Sequence, residues 1–476
     1  MTSRQKQSLI LGALTSSFGI FLSKALGLLY AAPFSSLAGE ANMSFYATSY
    51  NYYNLLLNIC TAGIPFAVAT MVAKYHDKQD YRTVLVIRKL SSSILLVSGV
   101  VVGLIFVLVS KPFAGIVLGS MASDTDIDIL RNVFCILAIA VMIVPFLSGQ
   151  RGFQQGLKEL KVYSFSQVLE QLVRVLFLLA GSVVCVLLLK IDSVYALYAG
   201  VFAASISAFV TIIYLKKFDK KHLDEIQKLA KLQPYKKIEK KSLVKEFLWF
   251  GAPYVLIATL GDSTNLVNSS FFMNAMTDAG HAYEESKLLL GMIQFNAVKL
   301  IAIPQVLALG FSAGIVPYIT ITYENNRYNE LRKNITDVLD TVIYISLPLC
   351  FCLLVLARPI YNLMYGDLNL DLGSNVLMWS SSLAFLGTLA PVCSSLMMNL
   401  RMRKKVIFFL LLNFVVKLVT FFPLIALIGY PGAIVSSIIS SLVNISLALY
   451  TMGKMYHINY IKLMARILIM ICGLLA

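Results

Sequence analysis

The chain has 476 residues, 58% of them hydrophobic and only 13% charged, about half the charged share of a soluble domain. Its formal net charge is +16, but the basic residues cluster between apolar runs, as the positive-inside rule requires of a polytopic α-helical membrane protein, and so nucleic acid is not an expected partner. The sequence holds no P-loop, no serine–histidine–aspartate set and no metal-ligand spacing among its four scattered histidines, so it reads as neither an ATP-driven pump nor an enzyme.

In chain order, twelve apolar spans and the start of a thirteenth are expected. They centre near Phe21, Leu57, Ser98, Ala138, Phe177, Ala203, Leu260, Pro304, Leu347, Leu386, Phe414 and Ser441. The first apolar run continues past Lys24 to about Pro33, too long for the core of a cleaved signal peptide, and reads as a retained span. Loops alternate in charge. The segments 74–89, 151–161, 216–245, 327–333, 401–405 and 454–466 are basic, and the loops between them are acidic or nearly neutral. That alternation predicts a cytoplasmic N-terminus. The longest polar stretch, 216–247, reads as a solvated basic linker or as an amphipathic helix on the anionic inner leaflet.

The two halves look related. Gly63-Ile64-Pro65 in span 2 has a counterpart in Gly314-Ile315-Val316-Pro317 of span 8. Lys111-Pro112 ends span 3 with Gly119 seven residues past the proline; Arg358-Pro359 ends span 9 with Gly366 at the same distance. Span 1 places Lys24 twelve residues after Gly12, and span 7 places Asp262 eleven after Gly251. Six spans is an even number, so a duplication gives two lobes of one orientation, a parallel repeat. The expected fold is therefore all-α, with an N-terminal six-helix lobe over 1–217, a basic linker over 218–245, a C-terminal six-helix lobe over 246–456 and an additional span beginning in 457–476.

Ionisable residues deep in spans are functional candidates by default. Lys24, Glu170, Arg174, Asp262, Lys299 and Lys417 qualify. Glu170 and Arg174 share a helix face four residues apart and read as a gating or structural charge pair, with the basic loop around Arg151, Lys158 and Lys161 facing water before them. Lys24 and Lys299 read as substrate contacts, Asp262 as a substrate contact or the partner of a lysine, and Lys417 as a packing lysine or an additional cavity charge. Four cations against two anions favour an anionic cargo such as a phosphate or pyrophosphate head group.

The stretch GFQQGLKELKVYSFSQVLEQLVRV, residues 152–175, resembles the G-x-x-Q-G … S-Q-x-x-E-Q-x-x-R-V signature of the MurJ, SpoVB and YtgP-like branch of the multidrug/oligosaccharidyl-lipid/polysaccharide exporter superfamily. Ser23-Lys24-Ala25-Leu26-Gly27, Gly63-Ile64-Pro65, Arg358-Pro359-Ile360 and Tyr365-Gly366 are similar as well, so the likeness runs along essentially the whole chain. The resemblance implies two six-helix lobes around a cationic cavity, a multi-pass place in the bacterial cytoplasmic membrane, and flipping of an undecaprenyl-pyrophosphate-linked saccharide, with lipid II for peptidoglycan synthesis as leading cargo. Membrane lipids and the cell-wall synthesis machinery are the partners it implies. Lys24 carries over by position. Lys299 stands a turn or more beyond the place where relatives have an arginine-glycine pair, and Asn51, Asn54 and Asn58 stand where an arginine is usual, which brings Asn54 among the substrate contacts. No cofactor is expected, and a membrane potential or ion gradient would drive the cycle. Other cargo classes consistent with the residues are a capsule- or teichoic-type lipid-linked unit and, by cation-coupled antiport, a drug; a scaffold for cell-wall or sporulation enzymes is the non-transport alternative.

Overall fold

The structure, a computed structural model, describes residues 22, 26–28, 30–61, 63–234, 239–313 and 316–475. These residues form helices joined by short turns, with no strand among them. Eleven stretches among them, of 22 to 38 residues, are long and apolar enough to cross a membrane. The expected first span lies largely outside the described residues.

The described residues fall into two compact units. The first contains α1 (Ala31–Ala38), α2 (Asn42–Thr61), α3 (Ile64–Asp77), α4 (Tyr81–Leu118) to Ile116, α5 (Asp124–Gly156), α6 (Leu160–Val183), α7 (Ser193–Leu232) and α8 (Lys240–Gly261). The second contains Val117–Met121 together with α9 (Ser263–Asp278), α10 (Tyr283–Gly291), α11 (Val298–Ala313), α12 (Val316–Glu324), α13 (Tyr328–Val355), α14 (Ala357–Tyr365), α15 (Leu370–Asn399), α16 (Arg403–Ile428), α17 (Tyr430–Tyr456) and α18 (Ile461–Leu475). The units part at Asp262. Two π-helical turns, Val184–Leu188 and Met292–Ala297, interrupt the ladders after α6 and before α11.

Local chemistry sets the helix ends. Ser123 caps α5, its Oγ accepting from the Asp126 amide at 3.1 Å, and Asp124 and Asp126 sit in the first turn where the helix dipole favours acid. Asp192 caps α7 in the same way. The expected second span is broken at Gly63, with Pro65 in the first turn of α3. Gly63 has φ +79°, and a Cβ there would lie 2.7 Å from the Cα of Gly251 and 2.8 Å from its carbonyl oxygen. Only glycine permits both the left-handed backbone and that approach.

The stretch expected as a linker is mostly helical. Residues 218–232 continue α7, and α8 begins at Lys240. The extension does not wait for a leaflet: Ile226 and Ala230 are buried, and Ile226 packs with Val68, Val72, Ile87 and Phe247 of the same unit. Arg82 Nε donates to the Ala230 carbonyl at 2.9 Å.

The duplication is written in the turns. Gly39 and Gly280 hold φ +87° and +92°, Gly119 and Gly366 hold +85° and +78°, Gln79 and Asn326 hold +58° and +54°, and Lys158 and Arg401 hold +65° and +60°. The backbone bonds repeat as well: Asp80 N to Tyr75 O and Arg327 N to Thr322 O, both 2.9 Å; Glu159 N to Gln154 O at 3.0 Å and Met402 N to Met397 O at 2.9 Å. So do ion pairs between turns. Asp77 meets Lys158 at 3.1 Å, and Glu324 meets Arg401 at 3.2 Å. Lys111 meets Asp128 at 3.2 Å, and Arg358 meets Asp371 at 3.0 Å. Among the described residues, the turns and ion pairs of the first unit thus recur in the second.

Candidate functional site

In the first unit the charges gather on α6. Ser166, Glu170 and Arg174 recur every four residues and share one face. Arg174 Nη2 donates to Glu170 Oε1 at 2.5 Å, and Arg151 Nη1 lies 2.7 Å from Glu170 Oε2. Arg151 also donates through Nε to Ser166 Oγ at 2.9 Å and through Nη2 to the Ser166 carbonyl at 2.8 Å. Arg174 Nε reaches Ser207 Oγ of α7 at 3.4 Å. All three charged side chains are largely buried.

Arg151 corrects the sequence reading. It is not on a water-facing loop; α5 runs on to Gly156 and delivers it to the carboxylate. The supposed pair is a trio with one surplus positive charge, so each Glu170 oxygen has its own guanidinium. The glycines of the signature stretch serve packing. A Cβ on Gly152 would stand 2.5 Å from the Pro65 carbonyl, and one on Gly156 would stand 2.8 Å from the Ala69 carbonyl, so α5 and α3 touch nearly backbone to backbone.

A polar track follows from the trio along α2. Arg174 lies within electrostatic reach of Tyr50 and Tyr53. Tyr50, Asn54 and Asn58 are spaced by four and share a face, roughly 12 Å from first to last. Asn54 is exposed. Asn58 Nδ2 donates to Asp262 Oδ2 at 2.9 Å, where Asp262 stands as the residue after α8. Asn54 therefore stands one helical turn before Asn58, which holds Asp262.

The second unit holds Lys299 and Lys417. Lys299, on α11, is half-buried, with its ammonium 5.5 Å from the centre of the Phe295 ring. The π-helical turn before it is held by α14: Asn296 Nδ2 donates to Tyr361 Oη at 2.8 Å, and Tyr365 Oη donates to the Asn296 carbonyl at 3.2 Å. Lys417, read as a packing lysine or an additional cavity charge, is fully buried between α16 and α17. Its Nζ donates to the Ala433 carbonyl at 2.7 Å and to Ser436 and Ser437 Oγ at 2.8 Å each, and lies 4.7 Å from the Phe421 ring centre. Lys24 lies outside the described residues.

Residues 9–323 match the polysaccharide biosynthesis protein family. The lipid II flippase MurJ of Bacillus subtilis is 30% identical over 467 residues, covering 97% of this chain and 86% of that protein. A solved structure of lipid II flippase MurJ in an inward closed conformation superposes with a TM-score of 0.66 at 13% identity, over 92% of this chain and 87% of that one. An inward-facing multidrug resistance MATE family transporter of the MOP superfamily also gives 0.66, at 13% identity over 93% of each chain. This is a multi-pass protein of the bacterial cytoplasmic membrane, of transporter type rather than an enzyme. The chain belongs to the polysaccharide biosynthesis protein family, in its MurJ-like branch of the MOP superfamily.

Proposed function

We propose that this protein flips lipid II, a polyprenyl-pyrophosphate-linked saccharide, across the cytoplasmic membrane by alternating access. The observation that carries this reading is kinship with a lipid II flippase along 97% of the chain. The residues fit the cargo. A pyrophosphate calls for cations, and each charge-assisted hydrogen bond to it is worth about 1.5–3 kcal/mol. Lys24 and Lys299 supply that contact, and Asn54 offers a neutral hydrogen bond to the sugar. Asp262 orients Asn58 beside it, and the Arg151–Glu170–Arg174 trio holds α5 against α6 while the lobes move. The basic loops keep the N-terminus in the cytoplasm. Moving one charge across 100 mV is worth about 2.3 kcal/mol, enough to bias a two-state cycle driven by the membrane potential or an ion gradient.

The test is translocation of labelled lipid II in proteoliposomes, wild type beside Lys24→Ala and Lys299→Ala. Each variant is expected to lose about tenfold or more in rate, the equivalent of one charged contact. Rescue of cells depleted of their own lipid II flippase is the matching test in vivo. Absence of both, with loss of a capsule or teichoic polymer on deletion, would assign a different lipid-linked glycan.

A further inference from the structure

The first unit has a second cationic feature, away from the trio. A cavity of about 470 Å³ opens between α4, α5 and α7, lined by Arg88, Lys89, Ser92, Gln150 and Lys216 with Phe146 and leucines beside them. Its floor is an ordered polar network. Arg88 Nη2 donates to Asp219 Oδ2 at 2.6 Å and to Gln150 Oε1 at 3.3 Å; Gln150 Nε2 donates to Ser92 Oγ at 3.1 Å, and Gln154 donates to the other Asp219 oxygen. Asp219 and Gln150 are 1% and 4% exposed. Arg88 is further fixed by its approach to the Phe153 ring, 5.2 Å away. The cavity therefore has a rigid base and three cations, Arg88, Lys89 and Lys216, against one carboxylate. Lys89 and Lys216 are exposed, and neither forms an ion pair among the described residues.

The wall above the cavity is apolar and uncovered. Along α4, Lys89, Ser93, Val97, Val101, Leu104 and Leu108 follow at intervals of four, four, four, three and four, one stripe of the helix. Val97, Val101, Leu104 and Leu108 are 60%, 49%, 52% and 81% exposed. From Ser93 to Leu104 the stripe rises roughly 16 Å, close to half of a hydrocarbon core of about 30 Å. A phosphate-sized cationic cup at the foot of an acyl-length greasy stripe matches one kind of molecule.

We propose that this cavity binds the phosphate head group of an anionic phospholipid of the surrounding leaflet, of the phosphatidylglycerol or cardiolipin class, with its acyl chains along α4. Lys89 and Lys216 contact the phosphate, and Ser92, held by Gln150, offers a hydroxyl. Basic pockets between membrane helices at the end rich in basic loops suit such head groups.

The experiment uses the purified full-length protein in a neutral detergent, titrated with short-chain phosphatidylglycerol, short-chain phosphatidylcholine or inorganic phosphate. Binding is read by intrinsic fluorescence and by the shift in melting temperature. Phosphatidylglycerol is expected to bind at least tenfold more tightly than phosphatidylcholine. Lys89→Gln with Lys216→Gln is expected to weaken it tenfold or more, and Ser93→Trp, which fills the cavity and leaves every charge, by a similar factor. Lys240→Gln with Lys241→Gln, exposed lysines outside the cavity, should change it by less than twofold. Equal loss in the two lysine pairs would mean general surface charge and overturn the proposal. So would an equal response to inorganic phosphate, which would make the ligand a free anion, or no preference for phosphatidylglycerol.

Discussion

Helices α6 and α16 each carry a cation at a matching place, and the two cations live differently. Arg174 stands sixteen residues after the left-handed Lys158, and Lys417 sixteen after the left-handed Arg401. Both donate to serine hydroxyls of the following long helix, Ser207 in one unit and Ser436 and Ser437 in the other. Arg174 has Glu170 four residues before it; Lys417 has Asn413 there, and the Asn413 Oδ1 has no hydrogen-bond partner. The cation with a counter-charge remains 18% exposed, beside the polar face of α2, while the one without is sealed at 0% and satisfied by neutral oxygens. A deep basic residue is thus no marker of cargo by itself; a carboxylate holds it in one unit and neutral oxygens hold it in the other.

The largest test of this contrast is Glu170→Gln. It leaves two largely buried guanidinium groups without a counter-ion, and a loss of about 3–5 kcal/mol in unfolding free energy is expected from denaturant titration in detergent. A loss under about 1 kcal/mol would mean that the trio is not what holds those charges, and the contrast with Lys417 would fail. Next comes Gly156→Ala, which pushes a methyl against the Ala69 carbonyl and Val72; overpacking there is expected to cost about 1–3 kcal/mol by the same assay. The matching place in the second unit is Asn399, which instead accepts a hydrogen bond from Thr320 at 3.0 Å, so Asn399→Ala tests whether a polar link replaces the backbone contact, with about 1 kcal/mol expected. Lys417→Met should change stability by under about 1.5 kcal/mol, because the volumes match and Ser436 and Ser437 still donate to the Ala433 carbonyl. Smallest are Asp77→Asn and Glu324→Gln. Each breaks an exposed ion pair worth under about 1 kcal/mol, and the effect should shrink alike in both units as salt rises.

Much of the plan was legible in the chain. Glycines seven residues past Lys111-Pro112 and Arg358-Pro359 announced the duplication, because glycine enters a left-handed turn without the penalty a Cβ carries. The signature around Glu170 announced the family. Arg151 was misread because sequence places a basic residue next to a loop in water by default, and only tertiary packing swings it onto Glu170. Lys417 was ambiguous for a related reason: hydrophobic periodicity tells how deep a residue lies, not which serines face it. The partnership of Asn58 with Asp262 spans 204 positions of sequence, and no local pattern encodes it.

The left-handed turns also bear on handling the protein. Among the described residues, seven non-glycine residues hold positive φ, Lys190 at +51° and His457 at +53° included, and an L side chain in that region costs roughly 1–2 kcal/mol that glycine avoids. Lys158 and Arg401 use their side chains in ion pairs, whereas Lys190 and His457 make none among the described residues. Lys190→Gly and His457→Gly are therefore places where a hardier preparation for crystallisation could be engineered without touching the membrane interior.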